Sequence, residues 1–333
     1  MYNITLIPGD GIGPEITKSV KDILEVLDID INWDIQKAGK IAKKETGNLV
    51  PKSVYESIQK NKIVLKGPIT TPVGSGFRSI NVHLRKKYNL FANIRPVKTI
   101  GNLDLRYDNI DLTIFRENIE GLYAGIEKEV SDEEIHAIKK VTKTGCINII
   151  TEAFEYAKKN DIGKVTVAHK ANILKKADGL FLDTAREISK KYKDIELEEV
   201  IIDNMCMQLV KNPEKFNLIV TTNLYGDILS DLAAGLVGGL GLIPGANIGK
   251  DKAIFEAVHG SAPDIAGKKI ANPTALLRSA IMMLKYLGED KNALKLSKAL
   301  EKVYTEKSVL TKDLGGESST KEFSNEIIKN IGG

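Results

Sequence analysis

The sequence predicts an α/β protein in which helices flank a largely buried sheet. Short apolar runs typical of buried strands recur along the chain, and amphipathic helical patterns lie between several of them. The turn after the first run has glycines spaced G-x-G-x-G, which differs from the G-x-G-x-x-G fingerprint of dinucleotide-binding turns. With 333 residues, the chain is long enough for two domains or for one large α/β unit.

Six apolar runs are predicted to form strands, and most are separated by helical patterns. The predicted strands are residues 2–7, 63–67, 111–115, 165–169, 197–202 and 218–222. Helices are predicted after Pro14, from near Ser79, around Asp227, and over residues 147–159, 174–192, 275–287 and 293–307. Pro14 suits a first helical turn, and Glu15 complements the dipole of that helix.

Charge and composition argue against a nucleic-acid-binding or membrane protein. The net charge is only +4, and the hydrophobic content of 42% and charged content of 28% are ordinary for a globular protein. Residues 232–249 carry no charge over a length that could span a bilayer. This stretch contains six glycines and Pro244, which favour a helix leading into a packed glycine turn.

The two cysteines and the N-terminal residues favour a cytoplasmic location. Cys146 and Cys206 form neither a metal-binding motif nor a disulfide framework, which is typical of a reducing compartment. The first apolar run ends at Pro8 and has no basic segment before it, so no signal peptide is predicted.

Arginine is concentrated in one part of a chain that otherwise relies on lysine. There are seven arginines and 41 lysines, and five of the arginines lie between Arg78 and Arg116. The planar guanidinium group binds carboxylate and phosphate with two parallel hydrogen bonds. The distribution therefore predicts a substrate that carries several carboxylates or phosphates.

Asp227 and Asp231 lie four residues apart in a predicted helix that follows a buried-type strand. This spacing places both carboxylates on one helix face, where they repel each other unless a cation lies between them. Oxygen ligands suit a hard ion such as Mg2+ or Mn2+. An isolated pair of this kind is more often a solvated helix surface, so the metal hypothesis depends on the neighbouring motifs.

Four further clusters contain residues suited to catalysis or anion binding. They are Ser79, Asn81, Arg85 and Arg95; Arg116 with Tyr123; Lys170; and Asp203, at the end of a strand. Lys170 follows a buried-type strand, a position where a lysine can have a lowered pKa. Each cluster alone is more often structural. Ser79, for example, could simply cap the helix that begins beside it.

Taken together and in this order, the motifs resemble those of the β-decarboxylating dehydrogenases, which act on isocitrate, isopropylmalate, homoisocitrate and tartrate. The matching segments are 8–14 (PGDGIGP), 116–118 (REN), 169–172 (HKAN), 223–231 (NLYGDILSD), 259–263 (HGSAP) and 271–273 (ANP). The resemblance implies an isocitrate/isopropylmalate dehydrogenase-like fold, which is not a Rossmann fold. Residues 1–98 and 247–333 would form a large domain, and residues 99–246 a smaller central one.

The resemblance also implies a role for each matching residue. Arg85, Arg95 and Arg116 would bind substrate carboxylates, while Asp227, Asp231 and Asp203, the last from a second subunit, would hold Mg2+ or Mn2+. Lys170, also from the partner, would assist deprotonation of the substrate hydroxyl as hydride leaves for the nicotinamide. Decarboxylation would then give a metal-stabilised enolate, which Tyr123 would protonate. A shared site of this kind requires at least a homodimer.

The residues that differ within the family favour isocitrate as substrate and NAD as cofactor. Ser79 and Asn81 can both donate to a third carboxylate, which resembles isocitrate dehydrogenases; homoisocitrate and 3-isopropylmalate are the alternatives. Asp264 would accept from a free ribose 2′-hydroxyl and repel a phosphate, and Ile265 beside it matches the NAD form. The remaining NAD contacts implied by the resemblance are Thr71, Asn172, His259, Gly260, Ala262 and Asn272. A non-catalytic regulatory subunit is the other alternative.

Overall fold

A ten-stranded mixed sheet forms the centre of the molecule, and a two-stranded hairpin projects from it. The computed structural model describes residues 1–70 and 79–332. The strands are β1 (Tyr2–Ile7), β2 (Ile31–Ile35), β3 (Ile63–Lys66), β4 (Ala92–Lys98), β5 (Asp111–Glu117), β6 (Gly121–Ser131), β7 (Glu134–Lys140), β8 (Lys164–His169), β9 (Glu196–Ile201), β10 (Leu218–Thr221), β11 (Pro244–Ile248) and β12 (Ala253–Ala257).

The strand order of the large sheet is β2-β1-β3-β12-β11-β4-β5-β10-β8-β9. The strands at each end pair in parallel, as βαβ units do, whereas β12, β11, β4 and β5 pair antiparallel in the middle. N-terminal, central and C-terminal segments therefore share one sheet. Strands β6 and β7 pair with each other as a separate antiparallel hairpin.

Helices cover both faces of the sheet. They are α1 (Gly13–Leu24), α2 (Lys40–Thr46), α3 (Lys52–Asn61), α4 (Ile80–Lys87), α5 (Lys143–Lys159), α6 (Ala177–Ser189), α7 (Ile202–Lys211), α8 (Asn223–Leu236), α9 (Thr274–Tyr286), α10 (Asp290–Glu306) and α11 (Thr320–Gly332). Buried side chains of α1, α5, α6, α9, α10 and α11 form the largest core, on one face. Those of α7 and α8, and those of α3 and α4, form two smaller cores on the other face.

The six predicted strands are all present, with ends that agree to within two residues. The predicted helices are present as well, and α1 has a proline in its first turn as expected. The sequence did not predict the β6–β7 hairpin or strands β2, β4, β11 and β12. The predicted division at residues 246 and 247 falls inside β11 (Pro244–Ile248), and the division into domains stays a prediction.

The glycine-rich turn between β1 and α1 is built for close packing. Gly9 and Gly11 both have positive φ angles, of 79° and 60°. A Cβ at Gly9 would lie 2.1 Å from the carbonyl oxygen of Pro68, and one at Gly11 would lie 1.9 Å from that of Ser261. Only glycine fits at such positions. The turn therefore holds the segment after β3 and the segment after β12 side by side.

Residues 232–249 form the end of α8, a glycine turn and β11, much as their composition suggested. Across residues 1–70 and 79–332, no helix is both long enough and apolar enough to cross a membrane.

Candidate active site

The parallel pairing of β5 and β10 places the predicted arginine and aspartate motifs next to each other. Thr221, at the end of β10, lies opposite Arg116 of β5, and α8 begins two residues later. Strand β4 pairs with the other edge of β5 and brings Arg95 to the same region. Residues more than 100 positions apart in the chain therefore meet at the first turns of α8.

Asp227 is the centre of this group. One of its carboxylate oxygens accepts from Arg116 and, at 3.3 Å, from Arg95, and the other accepts from the Tyr123 hydroxyl. Burial would raise the pKa of Asp227, but Arg116, the Tyr123 hydrogen bond and Arg95 together lower it below its usual value. Asp227 is therefore ionised at neutral pH.

Tyr123 reaches Asp227 from the hairpin strand β6. Its ring lies 4.9 Å from the guanidinium carbon of Arg116. Burial, followed by the hydrogen bond to Asp227 and the charge of that carboxylate, raises the pKa of Tyr123. The phenol therefore keeps its proton at neutral pH, as a general acid must.

Arg95 and Arg116 are also held by neutral side chains. Asn223 accepts from two nitrogens of Arg116 at 3.1 and 2.8 Å, and Arg95 donates to Asn93 at 2.7 Å and to Ser230 at 2.5 Å. Gly226 leaves space for the Arg116 stem, because a Cβ there would lie 2.5 Å from Cγ of Arg116.

The group carries more positive than negative charge. Burial, then the neighbouring guanidinium groups of Arg116 and Arg85, lowers the pKa of Arg95 to about 10. Burial and Arg85 likewise lower the pKa of Arg116. Three buried or nearly buried guanidinium groups repel one another, so an anion bound between them would relieve that repulsion.

A cavity of about 140 Å³ adjoins the arginines and contains unpaired polar atoms. Its walls include Lys66, Asn81, Arg85, Arg95, Glu256 and His259. Among the residues that the structure describes, the buried Oδ1 of Asn81, Nε of Arg85 and Nε2 of His259 have no hydrogen-bond partner. Such groups are costly in a protein interior, which favours a polar ligand at this position.

The predicted metal ligands Asp227 and Asp231 lie one turn apart on α8, as their spacing predicted. Their side chains are 33% and 58% exposed, so both are open to solvent and to a ligand. Burial raises the pKa of Asp231, Arg95 opposes this change, and the nearby charge of Asp227 adds to it. Two carboxylates that repel each other and offer only oxygen donors fit Mg2+ or Mn2+.

Lys170 and Asp203 contact each other and form a second group. The Lys170 ammonium pairs with the Asp203 carboxylate, and this contact lowers the pKa of Asp203. Lys170 follows β8 and Asp203 lies in the first turn of α7. Within the described chain, no set of three His, Cys, Asp or Glu residues could hold a metal, so Asp203 does not join Asp227 and Asp231 here.

Ser79 lies at the position that precedes α4, but its side chain makes no capping hydrogen bond to the described part of that helix. The capping alternative is therefore not realised. Asn81 and Arg85 follow on α4, and Arg85 donates to Glu256 at 3.1 Å. The roles of all three residues toward a substrate stay predictions.

The predicted NAD-binding segment lies beside the glycine-rich turn. Thr71 lies outside the described residues. Asn172, Gly260 and Asp264 are exposed, and Ile265 is half-buried. Ala262 has a positive φ angle of 37°.

Two of the predicted cofactor-binding residues have local contacts that bear on that prediction. Burial lowers the pKa of His259, whose unpaired Nε2 fits a cofactor contact. Asn272 donates to Asp313 at 3.0 Å and accepts from the Thr274 backbone at 3.0 Å. Its side chain is thus engaged within the protein, and its contact with adenine stays a prediction.

A polar cluster that the sequence did not predict lies behind Arg85. Glu256 pairs with Lys66 at 2.6 Å and also accepts from Asn247 at 2.7 Å. Burial would raise the pKa of Glu256, but Lys66 and Arg85 lower it far below its usual value. The available signal was a charged residue inside an apolar strand, at Lys66 in β3 and again at Glu256 in β12.

Comparison with known proteins decides the family. The sequence profile described as isocitrate/isopropylmalate dehydrogenase matches residues 3–327. The chain belongs to this family. It is 51% identical over 332 residues to a mitochondrial regulatory subunit of the NAD isocitrate dehydrogenase of Dictyostelium discoideum, covering 99% of this chain and 92% of that relative. It is 48% identical over 328 residues to the mitochondrial NAD isocitrate dehydrogenase catalytic subunit 5 of Arabidopsis thaliana, covering 98% and 88%.

Solved structures agree with this assignment. The isocitrate dehydrogenase from Methylococcus capsulatus superposes with a TM-score of 0.96 at 48% identity, covering 99% of both chains. The predicted family and fold are therefore confirmed. The predicted class of enzyme, an NAD-dependent isocitrate dehydrogenase, is confirmed as well, whereas the divalent metal ion stays a prediction.

Proposed function

We propose that this chain is a catalytic subunit that oxidatively decarboxylates isocitrate to 2-oxoglutarate and CO2, with reduction of NAD. The observation that carries this proposal is that Arg95 lines a polar cavity and also contacts Asp227, which accepts hydrogen bonds from Arg116 and Tyr123 as well. Guanidinium groups bind carboxylates. Decarboxylation also requires an acid, here Tyr123, and carboxylates that can hold a metal ion, here Asp227 and Asp231.

Isocitrate is favoured over its relatives because of the cavity wall. Asn81 and Arg85 present unpaired buried polar atoms, and Ser79 has a hydroxyl that is not used as a helix cap. The Nε of Arg85, the amide nitrogen of Asn81 and the Ser79 hydroxyl can donate to a third carboxylate, whereas the isopropyl group of 3-isopropylmalate would leave the buried Arg85 Nε unpaired at considerable cost. Homoisocitrate, which also carries three carboxylates, is the second candidate.

The chain's own residues supply substrate binding and proton transfer. Arg95 and Arg116 would hold carboxylates in place, and Lys170, supplied by a partner chain, would assist deprotonation of the C2 hydroxyl. After CO2 leaves C3, the Tyr123 hydroxyl would donate its proton to that carbon, because its raised pKa keeps it protonated. Asp227 holds the Tyr123 hydroxyl in position.

The cofactors supply the remaining chemistry. Asp227 and Asp231, with Asp203 of a second chain, would hold Mg2+ or Mn2+, which would supply Lewis acidity, and bound NAD would supply the hydride acceptor. Asp264 is exposed, and it supports NAD over NADP because its carboxylate would repel a 2′-phosphate.

The regulatory alternative needs separate consideration because one of the relatives above is named as regulatory. A chain that does not catalyse has no need of the acid, the base or the metal carboxylates. Here the Tyr123–Asp227 and Lys170–Asp203 contacts are both formed. These intact pairs support a catalytic subunit.

A homodimer is the proposed assembly. Helices α7 and α8 pack together and expose Met207, Val210 and Ile228, whose exposed fractions are 48%, 42% and 51%. The hairpin exposes Ile126 and Ile135 as well. An apolar surface beside Asp203 suits an interface that would deliver this carboxylate and Lys170 to the neighbouring site. A different, homologous subunit is the competing partner.

A cytoplasmic location remains a prediction that rests on the cysteines. Cys146 and Cys206 are both free thiols, which suits a reducing compartment. The curated relatives described above are mitochondrial proteins by name. Fractionation of the source cells, with the protein detected by antibody, would decide between the two locations.

Steady-state turnover with NAD and Mg2+ tests the proposal, with kcat/KM compared for isocitrate, homoisocitrate and 3-isopropylmalate. We expect isocitrate to be preferred. The matched variant Asn81→Leu should lower kcat/KM for isocitrate about tenfold or more, while affecting 3-isopropylmalate less. Preference for homoisocitrate would keep the chemistry and change the substrate. Absence of turnover with all three would favour the regulatory alternative.

A further inference from the structure

A buried carboxylate on α6 contacts the backbone of Lys170. Asp178 is fully buried in the first turn of this helix, and one of its oxygens accepts from the Lys170 backbone N–H at 2.7 Å. The other oxygen pairs with the ammonium group of Lys139, on hairpin strand β7. A buried carboxylate needs hydrogen-bond donors and a counter-charge, and Asp178 has both.

The Lys170 backbone is held from its other side as well. Its carbonyl oxygen accepts from the N–H groups of Ile173 and Leu174 at 3.0 and 2.8 Å. The Asp178 bond is thus the contact that fixes the N–H side of this residue. Only the side chain of Lys170, which is 27% exposed, is left to turn toward Asp203 and solvent.

The same cluster reaches the helix that carries the metal carboxylates. The ammonium group of Lys139 lies 4.4 Å from the ring centroid of Tyr225 on α8, a distance typical of a cation–π contact. Lys139 therefore bridges Asp178 and α8, and it comes from the hairpin that also contributes Tyr123.

We propose that Asp178 is a positioning residue for the reaction, which holds Lys170 in register with the hairpin through Lys139. This inference rests on the function proposed above. A shift of the hairpin would pull on Lys139 and so on the carboxylate that fixes Lys170. The acid Tyr123 and the base Lys170 of one chain are in this way attached to one rigid unit, although in the dimer they would serve different active sites.

The variant Asp178→Asn tests this inference, because it keeps the side-chain shape and removes the charge. Its amide can accept from the Lys170 N–H or from Lys139, but no longer from both with charge assistance. We expect kcat to fall about 10- to 100-fold, since a displacement near 1 Å can cost that much. The KM for isocitrate should stay within about twofold, because the arginines are untouched.

A direct measurement separates positioning from a general loss of structure. Hydrogen exchange should show faster exchange for the Lys170 amide in Asp178→Asn, without faster exchange across the core strands. The control Asp34→Asn removes a hydrogen-bonded carboxylate on β2, remote from the site, and should leave kcat and KM unchanged. Asp178→Asn with kcat within threefold of the unaltered protein would overturn the inference.

If Asp178→Asn does not fold, Lys139→Met decides the question. It leaves the Asp178–Lys170 bond in place and removes the link to the hairpin, so kcat should fall about threefold to tenfold at unchanged KM. A folded Lys139→Met protein with kcat within twofold of normal would overturn the link. Failure of the proposed function can be told apart from failure of this inference, since the unaltered protein would then not turn over isocitrate at all.

Discussion

The buried charge cluster of Lys66, Glu256 and Arg85 should be a major contributor to stability, and its members should contribute unequally. Lys66 and Glu256 lie opposite each other on the parallel strands β3 and β12, with side chains 2% and 7% exposed. Glu256 also accepts from Arg85 and Asn247. The cluster thus contains two cations and one carboxylate, and its net charge is +1.

This charge balance predicts the order of the variants. Glu256→Gln would leave two buried cations without a counter-charge, which should cost about 3–5 kcal/mol. Lys66→Met should cost less, about 1–2 kcal/mol, because Arg85 still neutralises Glu256 and methionine fills the space of the lysine stem. In the double variant the costs should not add, because Glu256→Gln leaves unpaired the Lys66 charge that Lys66→Met removes.

Unfolding in urea, followed by the fluorescence of the single tryptophan Trp33, measures these differences at equal protein concentration and without ligands. The exposed pair Lys98–Asp111, with side chains 56% and 63% exposed, is the control. Asp111→Asn should change the free energy of unfolding by less than about 1 kcal/mol. A Glu256→Gln protein within about 1 kcal/mol of normal, or a costlier Lys66→Met, would refute the reasoning.

Four further predictions concern the site and the assembly. Chelation of divalent metal should abolish turnover, and Asp231→Asn should raise the metal concentration for half-maximal activity at least about tenfold; activity that survives chelation would contradict the metal assignment. Tyr123→Phe should lower kcat by about 10²–10⁴ with little change in KM, and an unchanged kcat would exclude Tyr123 as the acid. Asp264→Lys with Ile265→Tyr should shift kcat/KM toward NADP by about tenfold or more, the worth of one charge-assisted hydrogen bond; no shift would place the adenosine site elsewhere. Met207→Glu should dissociate the dimer in light-scattering measurements, and a stable dimer would mean that α7 is not at the interface.

The sequence predicted the structure correctly wherever the signal was local. The strand β10 and helix α8 follow from an apolar run and a helical period, and the period alone places Asp227 and Asp231 on one face. It failed for the hairpin β6–β7, because both faces of these strands are largely exposed and leave no alternation to detect. The motif order identified the family without any of this geometry.

The sequence by itself therefore determined the fold class, the family and the shared helix face of Asp227 and Asp231, the predicted metal ligands. Only the tertiary structure brought Tyr123 to Asp227, paired Lys66 with Glu256 and placed Asp178 against Lys170. Periodicity reports which side of an element is buried, but not which residue of another element it meets there. Those meetings depend on strand order and register, which are set by packing of the whole sheet.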